Sequence, residues 1–402
     1  MIYSKDMSSA YPAVMLQKKF PMTKFIKTKQ NIDNLLGKKA LLIDCRLKNL
    51  KIKTIETIPY IASAKKTMIR NGRYDNGRVL MADEIGLVLT DIDYQIIKNQ
   101  YDFEPEFDTV FTADYKYLPK EFRKYIFDRY IMKCNLKGGD KYLYAKEKNK
   151  INANFGMCLT DIVHDEIVYH SSDSEPFEKI VPDIFEKLKE HYNSYNTFLV
   201  YQWGLWVTAW CRYRLQKAID GLGSDIIYCD TDSTKYFGNH DDLFTKLNNE
   251  ILQETSVCGF NTEYTRYDGE KFSLGLWEDD GEYTEFITLG SKKYGYVDTN
   301  GNLGITVAGL SKKKGSDYLK AHHGLKDFRI GTIIPPSASG RTTAHYHDVQ
   351  KPYRIEVYDP QQKRKVCILN GSSLAIENVP YTFGISSDYE ELLEELDKPI
   401  FD

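Results

Sequence analysis

The run Ile226-Ile227-Tyr228-Cys229-Asp230-Thr231-Asp232-Ser233 constrains the fold more than any other stretch of this chain. A short apolar strand there delivers two carboxylates two residues apart. In an extended strand, residues i and i+2 share a face, so Asp230 and Asp232 are expected to aim at one place. Hard divalent cations accept carboxylate oxygens and leave room for phosphate oxygens. A pair of such ions supports in-line displacement at phosphorus. An isolated Asp-x-Asp is more often a solvated turn, so its company decides.

Two companions stand out. Met1-Ile2-Tyr3-Ser4-Lys5-Asp6-Met7-Ser8-Ser9-Ala10-Tyr11-Pro12-Ala13 reads as a strand, a turn and a helix, with Pro12 in the first helical turn, where a missing N–H costs nothing. Asp6 sits at the strand end, placed to supply a third metal-facing carboxylate. The plainer reading makes Asp6 or Ser9 a helix cap and Tyr11 a core residue. In Lys148-Asn149-Lys150-Ile151-Asn152-Ala153-Asn154-Phe155-Gly156, the residues Lys148, Asn152 and Phe155 fall at i, i+4 and i+7 on one helix face. A cation, an amide and an aromatic ring on one stripe suit a nucleoside triphosphate. An ordinary amphipathic helix has the same spacing.

In this order the three segments resemble the motifs of the family B DNA polymerases: Asp-x-x-Ser-Leu-Tyr-Pro, Lys-x-x-x-Asn-x-x-Tyr-Gly and Tyr-x-Asp-Thr-Asp-Ser. The departures are Ala10 for Leu and Phe155 for Tyr, neither of which removes a charge. Further segments resemble the protein-primed branch found in small phages and linear plasmids. They are Trp206-Val207-Thr208-Ala209-Trp210-Cys211-Arg212, Leu274-Gly275-Leu276-Trp277, Lys292-Lys293-Tyr294, Ala308-Gly309-Leu310 and Asp327-Phe328-Arg329-Ile330-Gly331.

The resemblance implies an α+β right-hand polymerase. Residues 1–17 and 201–307 would form a palm with an antiparallel sheet. Residues 18–120 would be a first terminal-protein-region-like insert, 121–159 helical fingers, 160–200 a second insert of hairpin plus helix, and 308–402 a thumb with an acidic tail. The implied activity is template-directed transfer of deoxynucleotides to a primer 3′-hydroxyl. Asp6, Asp230 and Asp232, with the Met7 carbonyl, would hold two Mg²⁺ or Mn²⁺ ions. Tyr11, Lys133, Lys148, Asn152 and Phe155 would bind the dNTP. Ser9, Gly156, Thr231, Lys292, Tyr294, Lys312 and Lys313 would contact primer or DNA. Implied partners are primer-template DNA, dNTPs, a terminal (priming) protein and a separately encoded exonuclease domain, because only five residues precede Asp6. The competing reading is a non-catalytic DNA- or terminal-protein-binding remnant of a split or truncated polymerase. A reverse transcriptase fits less well, since that class favours adjacent aspartates.

Composition bears on setting. Seven cysteines are scattered (Cys45, Cys134, Cys158, Cys211, Cys229, Cys258, Cys367) without any Cys-x-x-Cys, which points to a reducing compartment, read here as the cytoplasm. His322, His323, His345 and His347 lack the spacing of a zinc site. The apolar stretch from Phe198 to Cys211 is too short to span a bilayer and reads as a buried helix, so no membrane is implied. Net charge is −3, yet residues 1–80 hold 17 Lys and Arg against 5 Asp and Glu, a surplus of 12. Phosphate contact needs local positive potential of this kind. Residues 388–396 read as an acidic amphipathic helix. Hairpins are expected at Asn71-Gly72, Asn76-Gly77 and Asn300-Gly301, strand-like runs at Asp161–His164 and Glu166–His170, and a helical hairpin around Lys137-Gly138-Gly139-Asp140.

Overall fold

The computed structural model describes residues 1–169, 177–194, 200–347, 353–357, 365–369 and 373–385. The expected acidic helix at 388–396 lies outside them, as do the side chains of His345 and His347. Helix and strand account for 39% and 35% of the chain, the mixed class expected. The chain divides into two compact units.

In the first unit (1–160 and 200–283 among described residues), four antiparallel strands carry the acidic motifs. Their order is Ile226–Asp230, Ser233–Phe237, Ile2–Met7 and the start of Trp277–Thr288. Asp6 stands opposite Ser233 on one side and Glu278 on the other. Alternation therefore groups Ser4, Asp6, Ser233 and Lys235 on one face of the sheet. The other face sits on helices. Tyr236 stacks on Phe244 of helix Asp241–Cys258, and Phe244 meets Trp277 edge-on.

The Asp-Thr-Asp segment is a turn and not one straight strand, a correction to the sequence reading. The strand ends at Asp230 and the next begins at Ser233, with Asp230 paired to Ser233. Thr231 takes φ 57, and the Asp232 N–H donates to the Asp230 carbonyl at 2.6 Å. An i to i+2 bond of this kind closes a three-residue turn. A β-branched residue at positive φ is strained.

Helix Tyr201–Leu222 is the spine of this unit. It buries Trp203, Trp206, Val207 and Cys211, three and four residues apart, against helix Ala10–Gln17 and its neighbours. Three indole N–H groups then find carbonyl or hydroxyl partners elsewhere. Trp203 donates to Pro21, Trp210 to Lys19 and Trp206 to the Tyr115 hydroxyl. Buried tryptophans need such partners. Tyr115 belongs to strand Tyr101–Tyr117, which pairs with Lys39–Ile52, itself paired with Arg78–Thr90. This long sheet has its own aliphatic core. Helix Asp91–Gln100 caps it, started by a Thr90/Asp93 capping box.

Asn76-Gly77 makes the expected two-residue hairpin, with positive φ at both residues and Asp75 opposite Arg78. Asn71-Gly72 does not. Met68–Arg70 and Arg73–Asp75 both pair with Arg78–Thr90, so Asn71-Gly72 interrupts one strand path. The Asn71 amide is held there by Asp83 at 2.6 Å. Helices Lys120–Leu136 and Lys141–Cys158 form the expected pair, the second capped by Asp140.

In the second unit (161–194 and 284–385 among described residues), Lys293–Asp298 pairs with Leu303–Val307 across the turn containing Asn300-Gly301. Helix Lys312–Lys320 follows, capped by Ser311. Ile305, Leu319, Phe328 and Phe383 share a core. Glu166–Tyr169 pairs with Phe177–Ile180, and helix Ile184–Asn193 comes next. Asp161–His164 is not a strand, so the hairpin lies later than its alternation suggested. Among described residues, no helix is long and apolar enough to cross a membrane.

Gly275 ties the acidic strands to helix Ala10–Gln17. Its φ is +86, its N–H donates to the Ser8 carbonyl, and a Cβ added there would meet the Ala13 Cβ at 2.5 Å. Gly275→Ala is expected to cost about 2–4 kcal/mol, from backbone strain plus overpacking. Gly77→Ala, at φ +73 in open space, should cost only about 1 kcal/mol. Urea denaturation of the two variants checks the difference.

Candidate active site

The acidic end of the sheet opens into a cavity of about 330 Å³. Asp6, Asp232 and Glu278 line one side, from three neighbouring strands or their turn. Ser9 and Tyr11 come from the start of the first helix. Lys133 comes from one helix of the pair, and Lys148 and Asn152 from the other.

Backbone pairing fixes the carboxylates. The Met7 N–H donates to the Asp232 carbonyl at 2.8 Å, so the turn is tied directly to the strand bearing Asp6. Burial raises the Asp6 carboxyl to about 7, aided by the fields of Asp232 and Asp280 and opposed by Lys235 and Lys148. Burial likewise raises Asp232 to about 6, with Asp230 adding to it and Lys148 opposing. Two carboxylates thus share a half-buried space with their repulsion only partly relieved. Among the described residues, no three Asp, Glu, His or Cys side chains converge closely enough to hold a metal by themselves. Mg²⁺ does not need that many, since it commonly binds one or two carboxylates plus substrate phosphates and water. The hard oxygen donors of Asp6 and Asp232 fit such an ion.

Cations face these acids. Lys148 is exposed and has no carboxylate partner among the described residues. Lys133 is half-buried, lies 5.3 Å above the Tyr130 ring and donates to the Ser9 hydroxyl at 2.8 Å. Burial pushes its ammonium below the usual lysine range. Ser9 occupies the helix cap position, yet its side chain makes no cap bond and its φ is 51. The hydroxyl serves Lys133 instead, so the plain capping reading fails there.

Tyr11 lines the cavity, and burial raises its phenol to about 12. Phe155 does not line it; its ring stacks on Tyr11 at 4.2 Å between centroids. Asp230 also stays off the cavity wall and accepts from the Thr231 hydroxyl at 2.9 Å. Met7 is buried, while Gly156 is exposed with open space where a Cβ would sit. Lys292, Tyr294, Lys312 and Lys313 belong to the second unit. There Tyr294 stacks on Phe286, Lys292 takes φ 55, and Lys312 and Lys313 open a helix.

Sequence reasoning missed Lys235, Asp280 and Glu278. Lys235 is buried, lies 3.6 Å from Asp280, and is one of the two cations that stabilise ionised Asp6. Asp280 also accepts from the Ser4 hydroxyl. The available signals were a lysine inside an apolar strand two positions past Ser233, and three consecutive acids after Trp277.

Solved structures of phi29 DNA polymerase share this fold. The complex with primer-template DNA and incoming nucleotide substrates gives a TM-score of 0.61 at 17% identity, over 95% of this chain and 58% of that one. The complex with single-stranded DNA gives 0.60 at 15% identity, over 95% and 57%. The orthorhombic crystal form gives 0.59 at 16%, over 95% and 58%. The chain therefore spans under two thirds of the length of these polymerases, and at such identity the likeness is one of fold. No protein-family model and no curated protein matches the chain.

The raised carboxyls set a pH dependence. Folded Asp6 and Asp232 hold protons to about 7 and about 6, against 3.8 for an ordinary aspartate. Folding is thus favoured below pH 4 and loses that contribution as pH rises to about 7. In chelator at pH 8, Asp6→Asn is expected to be more stable than the parent by on the order of 1–2 kcal/mol after solvent screening. At pH 4 the difference should vanish. Urea melts at the two pH values measure it.

Proposed function

We propose that this chain is a DNA-directed DNA polymerase, acting in protein-primed replication of phage or mobile-element DNA. The supporting observation is a single cavity in which Asp6 and Asp232 face Lys148 and Lys133. The fold is shared with a polymerase seen with primer-template DNA and incoming nucleotides.

In this reading the primer 3′-hydroxyl attacks the α-phosphorus of a dNTP. The new P–O bond forms as the bond to the β-phosphate oxygen breaks, and pyrophosphate leaves with the charge. Asp6 and Asp232 would hold two divalent cations, Mg²⁺ or Mn²⁺, with Asp230 and the Met7 carbonyl supporting. Bound there, such ions acidify the hydroxyl and neutralise the leaving group. Lys148 and Lys133 neutralise the triphosphate as flexible point charges. Lys133 exchanges its Ser9 contact for a phosphate oxygen, and Asn152 orients the same group. Tyr11, backed by Phe155, lies under the sugar and excludes a 2′-hydroxyl. Lys292 and Tyr294 hold the primer end, and Lys312 and Lys313 follow the duplex. The 18–120 region would meet a priming protein.

Primer extension by purified variants tests this. Asp232→Ala and Asp6→Ala should each lower the rate by about 10³-fold or more, the loss of several kcal/mol of barrier stabilisation. Asp230→Ala, off the cavity wall, should lose less. Wild-type-like extension by Asp232→Ala, or no metal-dependent incorporation by the parent, overturns the reading.

A further inference from the structure

The first unit contains a second cavity, of about 310 Å³, that shares no lining residue with the first. It lies between the long sheet and helix Tyr201–Leu222. Leu42, Ile61, Leu87, Leu89, Ile97 and Leu205 supply an apolar wall. Its volume falls within the range of small-molecule sites.

The polar end is unusual in its charge. Asp93 is buried and fully occupied. It accepts from the Thr90 N–H and hydroxyl, from the Tyr60 hydroxyl, and from Nε and Nη2 of Arg212. The ion pair with Arg212 holds its carboxyl below the usual range despite burial. The remaining guanidinium nitrogen, Nη1 of Arg212, carries no hydrogen bond among the described residues. Lys65 lies 5.5 Å above the Tyr60 ring and has no carboxylate partner among them either. Arg78 is a third cation nearby, donating to the Tyr60 carbonyl at 2.9 Å. Burial lowers the Lys65 ammonium to about 8, and Arg212 and Arg78 push it the same way against Asp93. After Asp93 cancels Arg212, uncompensated positive charge remains beside an apolar wall.

We propose that this cavity binds a small monoanion with an apolar body, an aryl or branched-alkyl carboxylate. The body lies against the leucines, and the carboxylate meets Lys65 and the free edge of Arg212. Pure hydrocarbon would leave the cations unpaired, and a hydrophilic anion would leave the wall wet. One ligand satisfies both.

The probe is 2-naphthoate, titrated by calorimetry into the full chain, with uncharged 2-naphthalenemethanol as the control. Naphthoate should bind saturably, one per chain, and at least about tenfold tighter than the alcohol, the size of one partly buried charge contact. Lys65→Met should remove most of that preference while binding of the alcohol stays unchanged. Thr208→Phe, which fills the cavity from the helix, should abolish both. Circular dichroism melts show that each variant is folded, and Lys65→Met, on the surface, keeps the test valid should Thr208→Phe not fold. Equal binding of the two probes, no effect of Lys65→Met, or no saturable binding of naphthoate overturns the proposal. The readout does not use nucleotide incorporation, so its failure is separate from failure of the polymerase reading.

Discussion

The pairing of strand Ile2–Met7 with strand Ser233–Phe237 is the interaction on which the site depends. It places Asp6 opposite Ser233 and ties the Met7 N–H to the Asp232 carbonyl. Side chains alone would not choose this arrangement, since two carboxylates repel. Backbone hydrogen bonds and the apolar face beneath, where Tyr236 and Phe244 stack, hold the acids together. A slip of one residue would turn Asp6 to the buried face.

The acids and cations around the cavity are held at a distance from mutual satisfaction. Lys235 engages Asp280, and Lys133 engages Ser9. Among the described residues, neither Lys133 nor Lys148 closes a direct ion pair with Asp6 or Asp232. A tight pair there would neutralise the cavity and leave nothing to attract a metal ion or a phosphate. Burial of both aspartates keeps that attraction strong, because the charges are less screened than at a surface. The strained Thr231 backbone fits the same pattern of cost accepted at a working site.

Much of this was legible in the sequence, for reasons specific to each element. Asn76-Gly77 and Asn300-Gly301 sit between runs that pair with each other, so turn chemistry and strand pattern agreed. At Asn71-Gly72 the dipeptide was the same, but both flanking strands found a common third partner, which no local signal reveals. The Asp-Thr-Asp segment was legible as chemistry and misread as geometry. Its apolar run ends at Asp230, and alternation was extended two residues too far. Lys235 and Glu278 were invisible because their meaning comes from register across strands far apart in the chain. Phe155, expected to bind the dNTP, stacks its ring on Tyr11 of another helix, a contact that spacing along one helix does not reveal.

The long span of the central strand pairing has a consequence for synthesis. Asp6 and Ser233 are 227 positions apart. On a ribosome adding about 5–20 residues per second, strand Ile2–Met7 waits on the order of ten to fifty seconds for its partner. Through that interval its backbone donors and acceptors are unpaired, and an open strand edge invites foreign pairing. The hairpin Ile226–Asp230/Ser233–Phe237, by contrast, closes on itself as soon as it emerges. The acidic cavity is complete only after strand Trp277–Thr288, which brings Glu278, has followed that hairpin, and cellular yield of active protein should respond to translation speed and chaperone supply more than the stability of the finished fold suggests.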